Sequence, residues 1–246
     1  MGRFDGKIAL VTGAGSGIGR AIAARLARDG ARVIVTDVTG QEDSVAKELG
    51  ELATARRLDV ADETSVAALE DWIAAEFGGL DILANNAGIS GPNALTHEYP
   101  LDSFDKVVSV NIRGAYMVLQ AALRLMLNSG GGAVVNSASI GGFRATPSAS
   151  AYITSKGAMV MMTRVAALEY VQKGIRVNAI APGTTHTAIL DDASPELMAM
   201  LEGRIPQGRL GTPEEVANVA AFLADDREAG HVTGQIWTID GGRSAG

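Results

Sequence analysis

A chain of 246 residues, 47% of them apolar, is long enough for one domain with a substantial core. Its formal net charge of −7 argues against nucleic-acid and anionic-membrane partners and favours small-molecule ligands. With no cysteine, disulfides, iron–sulfur clusters and thiolate zinc sites are excluded, and His97, His186 and His231 lack ligand spacing, so no metal is expected.

Residues Met1 to Lys7 lead straight into an apolar run, without a signal-peptide segment, and no stretch approaches the ~18 apolar residues of a membrane span. A cytoplasmic protein is expected. Scarce aromatics and abundant Ala, Val, Ile and Gly suit helices packed closely on a buried parallel sheet.

Ile8-Ala9-Leu10-Val11 reads as a strand buried on both faces. It ends in Thr12-Gly13-Ala14-Gly15-Ser16-Gly17-Ile18-Gly19, after which Arg20 to Asp29 has helical composition with Gly30 at its C-cap. Strand, glycine turn and helix in that order predict a dinucleotide site, because glycines admit a pyrophosphate close to the backbone and helix N-terminal amides hold it. Gly13, Ser16, Gly17, Ile18 and Gly19 are the candidates. A second strand, Arg32 to Thr36, ends at Asp37, twenty residues beyond Gly17. A carboxylate there accepts both hydroxyls of an adenosine ribose and repels a 2′-phosphate. No basic residue at Ala14 to Ser16 or Val38 to Gly40 offsets that repulsion, so NAD is expected rather than NADP.

Two further strand–helix units follow. Ala53 to Leu58 ends at Asp59-Val60, Ser65 to Phe77 has helical spacing, and Leu80 to Ala84 ends at Asn85-Asn86-Ala87-Gly88. Polar residues just past parallel strands lie at the ligand edge. Asp59 is thus a candidate for an adenine amino group and Asn86, Ala87 and Gly88 for the neighbouring ribose, with turn and cap chemistry as the plain alternative. Leu101 to Leu127 is expected as one long helix, in which Asn111 stands between apolar residues and needs partners if buried. The strand Ala133 to Ser137 leads through Ser139 into the Gly-, Ser- and Pro-rich loop Ile140 to Ser150.

Beyond that loop lies Tyr152-Ile153-Thr154-Ser155-Lys156. On a helix, i,i+4 spacing sets the two side-chain bases about 5–6 Å apart on one face. A nearby ammonium favours phenolate, so the pair suits proton exchange with a carbonyl or carbinol oxygen near neutral pH. Ile175 to Ala181 is another strand, closed by Pro182-Gly183 and followed by Thr184-Thr185-His186-Thr187. Residues 186–211, with a short helix at Pro195 to Leu201, are expected to form a substrate lid. Thr212 and Glu215 form a capping box for the helix Pro213 to Ala224, and Gln235 to Ile239 is the last strand. Seven strands alternating with about as many helices, without linker or repeat, predict one α/β domain over residues 1–246. Its architecture is a doubly wound parallel seven-stranded sheet with helices on both faces, the Rossmann fold.

In order and spacing, Thr12-Gly13-x-x-x-Gly17-Ile18-Gly19, Asn85 to Gly88, Asn111, Ser139, Tyr152-x-x-x-Lys156 and Pro182-Gly183 with Thr187 resemble the short-chain dehydrogenase/reductase family over essentially the whole chain. The resemblance implies Tyr152 as general acid/base and Ser139 as the partner of the substrate oxygen. It implies Lys156 on the nicotinamide ribose, favouring ionised Tyr152, and Asn111 holding a water that links Lys156 to solvent. It also implies Asp37 on the adenosine ribose, Asp59 and Val60 against adenine, Thr185 and Thr187 orienting the carboxamide, and a homotetramer. Asn136-Ser137-Ala138-Ser139 departs from the paired serines of many members but keeps the second serine.

Acyl-carrier-protein reductases of this family tend to carry a basic run where this chain has Leu127-Asn128-Ser129-Gly130. The expectation is therefore an NAD(H)-dependent oxidoreductase interconverting a secondary alcohol and a ketone, small to medium in size, with cyclic molecules among the candidates. The alternatives are an NADPH-dependent 3-oxoacyl (acyl-carrier-protein) reductase, a non-catalytic NAD-binding regulator, and a sugar-nucleotide epimerase, which would need more chain than Gly241 to Gly246 after the last strand. Ser90 to His97, Gly141 to Ser148 and Thr184 to Ile205 are the expected substrate walls. His97, Arg144 and His186 are candidate polar contacts there, or else solvated loop side chains.

Overall fold

The structure is a computed structural model that describes residues 2–187, 190 and 193–245. Its strands are β1 (Ile8–Thr12), β2 (Arg32–Asp37), β3 (Ala53–Arg57), β4 (Ile82–Asn85), β5 (Gly132–Ser137), β6 (Ile175–Pro182) and β7 (Ile236–Ile239). They form one seven-stranded sheet in the order β3-β2-β1-β4-β5-β6-β7, with every pairing parallel. β1, β4 and β6 are nearly continuous runs of buried residues, as a sheet covered on both faces requires.

The helices are α1 (Gly17–Arg28), α2 (Glu42–Leu49), α3 (Glu63–Phe77), α4 (Leu101–Val108), α5 (Ala115–Ser129), α6 (Ser150–Tyr170), α7 (Pro195–Glu202), α8 (Pro213–Ala224) and α9 (Asp226–Ala229). One core layer holds Ile22, Leu26, Val45, Val216 and Leu223, from α1, α2 and α8, against Val11, Val35 and Ile180 of the sheet. The other packs Ile73 of α3, Leu119 and Met126 of α5 and Ala166 of α6 against Leu10, Ile34, Leu83 and Val177. From β1 the chain first builds outward through β2 and β3, then crosses back to β4 and builds the other way. That reversal leaves a crevice at the carboxyl ends of β1 and β4.

Two expectations change in detail. Helix α1 begins at Gly17 rather than Arg20, because the end of the glycine turn itself enters the first helical turn. The long helix expected from Leu101 is interrupted by a π-turn, Ser109–Gly114, which places Ala115 N–H against the carbonyl of Val110. A π-turn inserts one extra residue into the helical path and is common where a side chain must be turned toward a site. Here that side chain is the buried Asn111. In the expected lid, α7 is present, opened by Ser194 accepting from Leu197 N–H at 3.2 Å, while residues 188–189 and 191–192 lie outside the described set.

Candidate active site

The carboxyl edge of the sheet opens onto a cavity of about 1130 Å³ that extends from Asp37 and Asp59 beside β2 and β3 to Ser139, Tyr152 and Pro182 beside β5 and β6. Its floor is the turn between β1 and α1. Gly13 has φ +63°, and a Cβ there would meet the Cα of Ala87 at 2.9 Å, so the left-handed backbone and the close approach both require glycine. The Thr12 hydroxyl accepts from the N–H groups of Asn86 at 2.9 Å and Ala87 at 3.0 Å, which ties this turn to the segment after β4. The Ser137 hydroxyl in turn donates to Asn86 Oδ1 at 3.1 Å.

Asp37, at the end of β2, is held as an anion. Its Oδ2 accepts from Gly15 N–H at 2.9 Å, and its Oδ1 accepts from Val38 N–H at 2.8 Å, Thr39 N–H at 3.0 Å and the Thr39 hydroxyl at 2.8 Å. Burial alone would raise its pKa, but the bonds from Thr39, Gly15 and Val38 outweigh it and hold the carboxyl below its ordinary value. An anion fixed on the cavity wall is an acceptor suited to the hydroxyls of a diol. With the glycine floor, these residues fit a nicotinamide dinucleotide.

At the other end, α6 carries Tyr152 and Lys156 on one face, with Lys156 Nζ 5.6 Å from the centre of the Tyr152 ring. The buried Lys156 donates to the carbonyl of Ser137 at 2.7 Å. Removal from water lowers its pKa to about 8. Ser139 Oγ accepts from Gly141 N–H at 3.1 Å and lines the same cavity as the Tyr152 phenol. Burial raises the Tyr152 pKa, and the neighbouring Ser139 hydroxyl only partly offsets it. The phenol pKa thus moves up, opposite to the direction expected from the ammonium alone. Desolvation is the larger cause, and the Lys156 ammonium is turned onto the Ser137 carbonyl.

Asn111 does not line the cavity but braces it from behind. Its Oδ1 accepts from Ile89 N–H at 2.8 Å, while its Nδ2 donates to the Ile89 carbonyl at 2.8 Å and to Ser155 Oγ at 3.0 Å. Ser155 donates to the carbonyl of Tyr152 at 2.7 Å, so the π-turn, the segment after β4 and the Tyr152 helix are joined through two side chains. Both donors of the Asn111 amide thus go to protein partners. Among the described residues Ser148 is the one non-glycine with positive φ, +67°, and its carbonyl accepts from Ala94 N–H at 3.0 Å. This clamp joins the loop after β4 to the entry of α6.

A family model described as enoyl-(acyl carrier protein) reductase matches residues 13–244. The cis-4-hydroxycyclohexanecarboxylate dehydrogenase of Sinomonas cyclohexanicum is 44% identical, covering 98% of each chain. This chain belongs to the short-chain dehydrogenase/reductase family. Another member, the cyclohexanol dehydrogenase of Acinetobacter sp. (strain SE19), is 38% identical over 97% of this chain and 95% of its own. Among solved structures, the 3-ketoacyl-(acyl-carrier-protein) reductase from Brucella melitensis complexed with NADH superposes with a TM-score of 0.93 at 35% identity, covering 98% of this chain and 99% of that one.

Every nucleotide-site candidate named from the sequence lies on the cavity wall: Gly13, Ser16 to Gly19, Asp37, Asp59, Val60, Asn86 to Gly88, Pro182, Gly183, Thr185 and Thr187. Ser139, Tyr152 and Lys156 lie there too. His97 is exposed beside Glu98 at 3.6 Å and is not part of the wall. Sequence reasoning passed over Ser137, Ser155 and Ser148. Ser137 acts through its carbonyl and through its hydroxyl on Asn86, and Ser148 through its φ, all set by partners distant in sequence. Ser155 was readable, since a hydroxyl just before Lys156 faces back along the helix toward the preceding turn.

Proposed function

We propose that this protein is an NAD(H)-dependent dehydrogenase of secondary alcohols borne on a six-membered carbon ring, acting reversibly as a ketone reductase. The observation that carries the reading is the gathering of Ser139, Tyr152 and the buried Lys156 in one cavity with the anchored Asp37 carboxylate. A bound nicotinamide dinucleotide supplies or accepts the hydride. Asp37 accepts the adenosine ribose hydroxyls, Asp59 and Val60 flank adenine, Asn86 to Gly88 border the ribose, and Thr185 and Thr187 hold the carboxamide.

Ser139 Oγ orients the substrate oxygen. Tyr152 gives its proton to that oxygen in ketone reduction and takes it back in alcohol oxidation, a contribution typically of ~10²–10⁴-fold. Its burial keeps the phenol protonated in the resting site, which suits the acid role. Lys156 binds ribose hydroxyls and, as an ammonium, lowers the cost of forming phenolate. Asn111 is a positioning residue that holds Ile89 and Ser155 in place.

The ring is supported by two relatives whose names place the hydroxyl on a cyclohexane. NAD is supported by Asp37 and by a structural neighbour complexed with NADH. The described part of the expected lid, residues 193–211 with α7, lies over the substrate end, a reading supported by Thr187 on the cavity wall and by α7 after it. The subunits associate as a homotetramer, supported by Met161, Val165 and Leu168, which fall at i, i+4 and i+7 on α6 and are 54%, 48% and 82% exposed.

The deciding experiment is a panel of cyclic, aliphatic, sugar and steroid alcohols and their ketones, assayed with NAD(H) and NADP(H). The expected result is turnover of cyclohexanol and cyclohexanone with NAD(H) preferred, and an Asp37→Ala variant whose preference narrows by about tenfold or more. Stronger binding of NADPH than NADH by the unaltered protein would refute the reading of Asp37. Activity confined to acyl thioesters would favour the acyl-carrier-protein reductase.

A further inference from the structure

The C-terminal residues after β7 form a closed turn. The Asp240 carboxylate accepts from Gly242 N–H at 3.0 Å and Ser244 N–H at 2.8 Å, and Arg243 N–H donates to the Asp240 carbonyl at 3.2 Å. This turn abuts the end of the expected lid and the loop after β6. Gln207 N–H, at the end of the lid segment, donates to the Gly241 carbonyl at 3.1 Å, and Gly183 N–H donates to the carbonyl of Ile239 at 2.9 Å.

Arg243 projects from the turn onto the loop after β6. Its Nη1 donates to Thr184 Oγ1 at 2.7 Å, and Thr184 sits between Gly183 and Thr185, both on the cavity wall. From the loop between Ser139 and Tyr152, Arg144 Nη1 donates to the carbonyl of Arg243. The Arg144 guanidinium thus holds the Arg243 backbone where two of the expected substrate-wall segments meet the C-terminal turn, beside the cavity rather than on its lining. Arg209, further along the lid segment, is neutralised by Glu215 at 2.6 Å, but among the described residues neither Arg144 nor Arg243 forms an ion pair. Asp240, the acid nearest Arg243 in sequence, spends both oxygens on backbone N–H groups.

Arg243 is half-buried and is fixed by one of its guanidinium nitrogens, while Nε and Nη2 make no hydrogen bond among the described residues. A guanidinium held by one corner presents its remaining N–H edge in a set plane, the geometry that binds a carboxylate through two parallel bonds. We propose that Arg243, supported by Arg144, is a specificity-determining residue that binds a carboxylate carried by the substrate away from the reacting carbinol. The preferred substrates are then ring-borne secondary alcohols with an acid substituent. This rests on the reading of the site as a secondary-alcohol dehydrogenase, and extends it to the charge of the substrate.

The test compares 4-hydroxycyclohexanecarboxylate with cyclohexanol in the unaltered protein and in Arg243→Gln and Arg243→Lys, alongside calorimetric titration of the enzyme–NADH complex with cyclohexanecarboxylate and with its neutral carboxamide. The expected result is that Arg243→Gln lowers the ratio of kcat/KM between acid and neutral alcohol by ~10–100-fold, chiefly through KM, and weakens carboxylate binding with little change for the carboxamide. Arg243→Lys, which keeps the charge but not the fork, retains part of the ratio. An unchanged ratio in Arg243→Gln, or an unaltered protein that binds carboxylate no better than carboxamide, would overturn the proposal even if cyclohexanol is a substrate. Arg243-dependent carboxylate binding without turnover of either alcohol would instead sustain the arginine site and defeat the ring-alcohol reading.

Discussion

Lys156 shows most directly how burial tunes the site. Its pKa is 10.5 in water and about 8 in the fold. Between those values the unfolded chain binds a proton that the folded chain has lost, so stability rises with pH through that window, and below about 8 the buried ammonium is a net cost. Thermal unfolding of cofactor-free Lys156→Met should therefore show a gain over the unaltered protein at neutral pH that shrinks as pH rises toward 10.5. A gain that grew with pH would mean the lysine is not desolvated. The Tyr152–Lys156 spacing was legible because helical periodicity alone decides which side chains share a face. Their pKa values were not, since desolvation and the capture of Lys156 by the Ser137 carbonyl depend on what lies across the site.

At the scale of elements, strands and caps followed from local chemistry. Thr212 and Glu215 form the full capping box expected, with bonds of 3.2 Å and 2.9 Å, and Pro213 occupies the first helical turn. Replacing Thr212 with Ala should cost ~1 kcal/mol in denaturant unfolding. An effect near zero would show that Pro213 and the Arg209–Glu215 pair suffice to set the helix start. The π-turn at Ser109–Gly114 was not legible, although Asn111 marked the place, because the added residue answers to Ile89 and Ser155, which are distant in sequence. The Ser148 conformation was hidden for the same reason. Its strain is held by the bond to Ala94, so nothing within Thr146 to Ala149 announces it.

For the whole molecule, the alternation of buried runs and amphipathic helices was enough to specify the parallel sheet and its ligand edge, because right-handed crossovers leave few other arrangements. The nucleotide-site candidates named from the sequence fall on one cavity wall, whereas the C-terminal turn beside the expected substrate walls was not legible. Glycines and an acid at strand ends have positions set by the sheet, whereas the C-terminal turn reaches Thr184 and Arg144 only through tertiary packing. The exposed α6 stripe belongs to this scale also. On the proposed homotetramer, Leu168→Glu should lower the mass measured by light scattering from that of the unaltered protein to a smaller species, and an unchanged mass would remove α6 from the proposed interface.

The central claim is that Tyr152 moves the proton in a site otherwise built to hold dinucleotide and ring alcohol. Tyr152→Phe, assayed with cyclohexanol and NAD and titrated with NADH, measures it most directly. The account predicts turnover reduced by ~10²-fold or more with NADH affinity unchanged within about threefold. A Tyr152→Phe protein that oxidises cyclohexanol at the rate of the unaltered protein would contradict it.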